Sequence, residues 1–155
     1  MPQFVRNWGQ VLGNPLIQEQ REYDTGALAV LAGQLIPTLT QDQRVAFEKI
    51  TSAISTRSGE TFFLHGPGDT GKTYLYNTLC YHLRSQSKIV LCVASSGIAA
   101  LLLNGGRTAH SRFKILIPSH ESSMCSIKKD SFLTDLMHQA DCHGRCILLS
   151  LNFLL

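Results

Sequence analysis

The sequence predicts an α/β fold built on a parallel sheet. Three observations carry that expectation. Thr61-Phe-Phe-Leu-His65 is a short apolar run that ends in a glycine-rich turn, and a helical pattern follows it. Lys88-Ile-Val-Leu-Cys-Val-Ala94 is a continuous apolar run, the pattern of a strand covered on both faces. Strand, helix, strand, helix in alternation calls for right-handed crossovers between parallel strands.

The length of 155 residues suits one domain. A chain of that size buries roughly 70% of its unfolded surface, enough for one ordinary core. With 44% hydrophobic and 16% charged residues, wholesale disorder is excluded. Five Pro and 12 Gly without a period exclude collagen-like and low-complexity classes. The longest weakly polar run, Ile89 to Leu103, is broken by Ser95, Ser96 and Gly97 and is too short to span a bilayer. Met1-Pro-Gln-Phe-Val-Arg-Asn-Trp8 has no apolar core after a basic start, so no signal peptide is expected. The five Cys are accordingly expected as reduced thiols.

The elements follow in order. Ala27 to Leu35 is rich in Ala and Leu and predicts a helix, which Pro37 ends. Thr40-Gln-Asp-Gln43 fits a capping box, with Thr as N-cap and Gln three residues on. Val45, Phe47, Ile50 and Ile54 then give one apolar helical face, with Gly59 as the stop. Thr61 to His65 is expected as a buried strand. Thr73 to Gln86 predicts a helix with Leu75, Leu79 and Leu83 four apart. Lys88 to Ala94 predicts the next strand, and Ser96 to Leu103 a helix closed by Asn104-Gly-Gly106. The apolar end, Ile147 to Leu155, is expected as either a buried terminal strand or an exposed aggregation-prone tail.

Charge is uneven. Residues 84–129 carry seven basic side chains (Arg84, Lys88, Arg107, Arg112, Lys114, Lys128, Lys129) against Glu121 alone. The flanking parts are slightly acidic. A basic middle third suits a polyanion, and equally a solvated face with no partner.

Gly66-Pro-Gly-Asp-Thr-Gly71-Lys72-Thr73 matches the phosphate-loop pattern at every fixed position. Its chemistry needs this spacing. Backbone N–H groups and the following helix N-terminus attract phosphate. Lys72 would neutralise the β- and γ-phosphates, and Thr73 would give its hydroxyl to Mg²⁺. Asp69 puts a carboxylate into this loop, and weaker nucleotide binding than with Gly is expected.

Val93-Ala-Ser-Ser-Gly-Ile-Ala-Ala100 and Gly106-Arg-Thr-Ala-His-Ser111, taken with this loop, resemble the PIF-type DNA helicases of superfamily 1B, and most of all those of plant Helitron transposons. Leu16 to Asp24 and Leu39-Thr-Gln-Asp-Gln43 are also similar, so the resemblance runs from about Asn14 to Asp141. It implies a partial RecA-like P-loop NTPase domain with a parallel sheet, preceded by a helical segment. The divisions are residues 1–38 (N-terminal segment), 39–141 (partial helicase domain) and 142–155 (aberrant apolar tail). It implies that Gln43, Gly66, Pro67, Gly68, Asp69, Thr70, Gly71, Lys72 and Thr73 bind ATP, with Lys72 and Thr73 catalytic and Mg²⁺ held through ATP. The family has Gly where this chain has Asp69. Capping is the competing role for Gln43. Ser95, Ser96, Gly97, His110 and Ser111 would contact single-stranded DNA, although Ser95 and Ser96 also suit plain helix capping. The resemblance further implies recombination, repair, telomere upkeep or transposition, and a nuclear location. It leaves the oligomeric state open.

A working ATPase of this kind needs an acid at the end of a neighbouring apolar strand. Ile147-Leu-Leu149 is followed by Ser150, and no acid follows Asp141. If Cys142-His-Gly-Arg-Cys146 is encoded as TGT CAT GGA CGA TGC, the frame one base later reads Val-Met-Asp-Asp-Ala. Residues 142–155 are therefore expected to be out-of-frame or aberrant sequence. Cys142, His143 and Cys146 fit no zinc spacing. The chain is expected to be a half-motor by descent and a weakly binding, non-catalytic fragment in isolation. An unrelated P-loop kinase or signalling NTPase is the third expectation.

Overall fold

The computed structural model describes residues 13–118, 120, 123–142 and 147–151. Helices begin where side chains take up the first free amides. In α1 (Pro15–Arg21), Asn14 accepts from the N–H groups of Leu16 and Ile17, and Pro15 presets the first turn. In α2 (Thr25–Leu35), Asp24 accepts from Gly26 and Ala27 at 2.9 and 3.0 Å. A 3₁₀ turn, Ile36–Thr38, leads into α3 (Gln41–Thr56). Both halves of the Thr40–Gln43 capping box form. α3 ends one turn of chain earlier than its glycine: Arg57 takes the left-handed conformation, φ 52°, before Gly59 is reached.

α4 (Lys72–Ser85) carries Leu75, Leu79 and Leu83 into the core, each at most 1% exposed. The four-residue spacing puts all three on one stripe of the helix. Behind that stripe runs β1 (Val90–Ala94). It is the centre of a three-stranded sheet of order β2-β1-β3, with β2 at Arg107–Thr108 and β3 at Ile147–Leu151. Both neighbours are parallel to β1. α5 (Gly97–Leu101) and α6 (Ala109–Phe113) follow β1 and β2, and α7 (Phe132–Cys142) precedes β3. The arrangement is a partial α/β domain of RecA-like type.

All five residues of β1 are buried, so the sheet is covered on both faces as the apolar run requires. The period of two divides the run between two clusters. Val90, Cys92 and Ala94 pack with residues of α3, α4 and α5, among them Phe47, Leu79 and Ala99. Ile89 and Leu91 pack with Ile17 of α1 and with Leu133 and Leu136 of α7. Asn14 Nδ2 donates to the Phe132 carbonyl at 2.7 Å, and Arg21 donates to Gln139 at 3.1 Å, tying α1 to α7.

The structure corrects four expectations. Thr61 to His65 forms no strand, and it is largely exposed rather than buried: Phe63 is 78% exposed, and Leu64 alone of the five packs against the core, half-buried. A strand needs a ladder partner, and among the described residues the only pairs are those of β1 with β2 and β3. The helix expected over Ser96 to Leu103 is the shorter α5. Leu102 and Leu103 bond back three residues, to Ala99 and Ala100, which tightens the chain into the Asn104 turn. Val45 does not join the apolar face of α3; it is 40% exposed, while Phe47 and Ile50 are buried. Finally, the basic middle third is not one solvated face. Arg84 and Arg112 are interior, at 2% and 4% exposed, and Arg107 pairs with Glu19 at 2.7 Å.

Of the two alternatives for the apolar end, the structure has a strand over Ile147–Leu151. His143 and Cys146 lie outside the described residues. Among the described residues no helix is long and apolar enough to cross a membrane.

Candidate functional site

Gly71 is the N-cap of α4 and sits in the left-handed region, φ 73°. The backbone therefore favours glycine, and a Cβ there would stand 2.5 Å from the Gln43 amide and displace it. No side chain caps the helix; its first backbone bond runs from Leu75 N–H to the Gly71 carbonyl at 3.1 Å. The amides of Lys72, Thr73 and Tyr74 therefore keep the positive end of the helix directed into the loop. That is what a phosphate requires.

The loop is held by its own side chains. Lys72 Nζ donates to the carbonyls of Gly66 at 2.7 Å and Pro67 at 2.5 Å, and to Thr70 Oγ1 at 3.2 Å. Thr70 Oγ1 donates in turn to the Pro67 carbonyl at 2.9 Å. Gln43 Nε2 donates to the carbonyls of Thr70 at 3.2 Å and Gly71 at 3.5 Å. Gln43 Oε1 meanwhile accepts the Thr40 N–H at 3.1 Å. The capping role and the loop contact thus coexist on one amide. Asp69 adopts φ 58° and is exposed, so the loop forms around it in the left-handed conformation that Asp tolerates. Thr73 lies at the second position of α4, half-buried. Gln43, Gly66, Pro67, Thr70, Gly71 and Lys72 are therefore joined in one bonded group.

The second set of candidates sits elsewhere. Ala94 and Thr108 are opposite one another in the β1–β2 register. Ser95, Ser96 and Gly97 follow the first; His110 and Ser111 follow the second. Both groups thus leave the same end of the sheet, the carboxyl end, where α/β folds place ligands. Ser96 Oγ accepts the Ala99 N–H at 3.2 Å and is the N-cap of α5. Ser95, Gly97 and Ser111 are exposed, and His110 is half-buried. Thr108 Oγ1 caps α6 through the Ser111 N–H at 3.2 Å.

Between the two sets lie residues that sequence reasoning passed over. Asn77 of α4 accepts the Asn104 N–H at 2.9 Å and donates to the Leu102 carbonyl at 2.9 Å. Arg84, near the other end of α4, donates to the Asn104 carbonyl and Oδ1 at 2.9 and 2.5 Å and to the Val90 carbonyl at 3.0 Å. Its guanidinium lies 4.2 Å from the centre of the Tyr23 ring. The charge of Arg84 hid this role, since basic residues are expected at the surface. The Asn-Gly-Gly turn was the one local signal.

The interior also shifts its titratable groups. Burial, with Arg107 nearby, holds the Arg112 guanidinium below its ordinary range, against the pull of Glu19. The Cys80 thiol donates to Cys92; that bond lowers the Cys92 pKa and raises the Cys80 pKa, with Arg84 and Arg112 adding to the lowering at Cys92. Among the described residues no group of three or more His, Cys, Asp or Glu side chains is placed to hold a metal.

A glycine-rich loop that opens an uncapped helix against a parallel sheet defines a P-loop nucleotide-binding fold. The family model of the PIF1-like helicase matches residues 38–143, and the chain belongs to that family. No curated protein matches the chain. Helicases of this family use nucleotide with Mg²⁺ and bind DNA. The phosphate end of such a nucleotide fits the group present here, through the α4 amides and Lys72. The acid expected on the neighbouring strand is not there: β3 reads Ile-Leu-Leu-Ser-Leu.

Proposed function

We propose that this chain is the nucleotide-holding part of the first motor unit of a DNA helicase, and that the 155-residue polypeptide binds ATP and single-stranded DNA without sustained hydrolysis. One observation carries the reading: the uncapped α4 N-terminus and Lys72 converge on one loop. Lys72 would exchange the carbonyls of Gly66 and Pro67 for phosphate oxygens. The α4 amides would orient the triphosphate, and Thr73 would offer the Mg²⁺ ligand. Gln43, Gly66, Pro67, Gly68, Asp69, Thr70 and Gly71 form the rest of the nucleotide site. Ser95, Gly97, His110 and Ser111 would meet the DNA backbone at the carboxyl end of the sheet, with Ser96 holding the α5 N-terminus. β3 contributes no carboxylate, so the described residues supply no acid from that strand to a hydrolytic centre. A nuclear location and work in recombination, repair, telomere upkeep or transposition are proposed from the family alone.

The test is titration with a fluorescent ATP analogue, with ATP turnover measured beside it. Saturable binding that weakens at least tenfold in Lys72→Ala, with no turnover stimulated by single-stranded DNA, is expected; removing a charged partner of phosphate costs on the order of 1.5–3 kcal/mol. Turnover stimulated by DNA and lost in Lys72→Ala would restore the full ATPase reading. Equal binding by the wild type and Lys72→Ala overturns the site.

A further inference from the structure

We infer that Asn77 and Arg84 are positioning residues that couple the phosphate loop to the segment proposed to meet DNA. The inference rests on the reading of the two sites just given.

α4 is one unbroken helix whose first residue is Lys72. Helices are stiff along their axis at 1.5 Å per residue. A displacement of the loop end on binding phosphate is therefore carried to Asn77, a turn and a half further on. Asn77 does not end in solvent. Its amide spans the chain that leaves α5, taking the Asn104 N–H and giving to the Leu102 carbonyl, both at 2.9 Å. Arg84 takes the same turn from the other side, through both Asn104 oxygens, and holds β1 through Val90. The turn is built to admit it. Gly105 has φ 62°, and a Cβ there would collide first with the Tyr23 hydroxyl and stand 3.1 and 3.4 Å from the two terminal guanidinium nitrogens.

The clamped turn, Leu102 to Gly105, lies between the two halves of the proposed DNA site. Upstream it continues α5, which Ser96 caps; downstream it enters β2 and the Ala109–Phe113 helix that carries His110 and Ser111. Polar bonds from the middle and from the far end of α4 therefore attach one helix to the turn that joins the two halves of that site. Arg84 is 2% exposed, so water cannot substitute for its partners. A rigid element contacting both sites is the physical requirement for coupling them.

The measurement is the affinity of a fluorescent ATP analogue with and without a saturating oligothymidylate, and the reverse titration. Linkage requires the two ratios to agree. A wild-type ratio of about fivefold or more is expected. In Asn77→Ala it falls below about twofold while each ligand alone keeps its affinity within about twofold. Asn77→Asp keeps the acceptor for Asn104 and loses the donor to Leu102, and gives an intermediate ratio. Arg84→Lys loses the fork and lowers the ratio as well. Leu133→Ala weakens the core on the other face of the sheet and leaves the ratio at the wild-type value, which separates coupling from mere loss of stability. A wild-type ratio near one, or a full ratio in Asn77→Ala, overturns the inference while leaving both sites standing. Failure of the wild type to bind either ligand overturns the site reading and the coupling together.

Discussion

The two flanks of the phosphate loop have opposite fates. On its carboxyl side, α4 is sealed into the core, with Leu75, Leu79 and Leu83 essentially without exposure. On its amino side, Thr61 to His65 has no ladder partner among the described residues, and Phe63 is 78% exposed. Both flanks carry apolar residues in sequence, and the amino flank has the denser run. The difference lies in where their backbone bonds go. A helix satisfies its N–H and C=O groups from within, so α4 needs only one apolar stripe and a surface to cover. A strand must be completed by a neighbour. The loop itself depends on the helical flank: its shape is fixed by Lys72, Thr70 and Gln43, none of which lies in residues 61–65.

The largest test of that contrast pairs one residue from each flank. Leu79→Ala opens a cavity where the side chain is 0% exposed, and a loss of about 2–5 kcal/mol in unfolding free energy is expected. Phe63→Ala removes a larger side chain, but the exposed position confines the effect to about 0.5 kcal/mol. Chemical denaturation of the two variants under one condition measures both. A Phe63→Ala loss comparable to that of Leu79→Ala would show that the amino flank is packed after all.

Asp69 stands between the two flanks, and its effect is smaller. It holds φ 58°, a region that costs an L residue energy and glycine almost none. Asp69→Gly removes that strain and one carboxylate from the loop proposed to hold a polyanion. Since the side chain is exposed, solvent screens the repulsion. The nucleotide Kd is expected to fall by up to about fivefold, which corresponds to about 1 kcal/mol. An unchanged Kd would mean the carboxylate points away from the bound phosphates.

What could be read in the sequence follows the same division. Features whose partners lie within a few residues were legible: the Thr40–Gln43 box, the phosphate loop, the four-residue leucine spacing of α4 and the Ser96 cap. The apolar run of β1 foretold a sheet covered on both faces, but not by what. The second cover is α1 with α7, and Ile17 meets Leu133 and Leu136 from more than a hundred residues away. α1 itself had a local signal, Asn14 before Pro15, a preferred pairing for a helix start. The amino flank misled because its pattern is right for a strand and only the ladder is missing. Arg84 misled because its charge suggests solvent, whereas its partners are the Asn104 carbonyl and side-chain oxygens and the Val90 carbonyl of β1. Of the candidate site, the nucleotide group was legible as a motif. The link through Asn77 was not, because nothing in a single Asn on a helix announces its partner.

The smallest effect belongs to the buried flank and is read through pH. His82 of α4 packs edge-on against Phe47 of α3, ring centres 5.2 Å apart. Burial, aided by the charge of Lys88, lowers its pKa below the ordinary 6.5. The folded state therefore binds the proton less readily than the unfolded chain. The sign follows: the unfolded state holds more protons between the two pKa values, so stability rises with pH through that interval. It is fully present above about 6.5 and is lost as pH falls through the folded value. Because the ring is partly solvated, the change is expected to be a few tenths of a kcal/mol. His82→Gln removes that slope, so between about pH 5 and 7 the melting temperature of the wild type should rise more steeply with pH than that of the variant. A wild-type slope that survives in His82→Gln would assign the acid sensitivity to another group and leave the α3–α4 contact independent of pH.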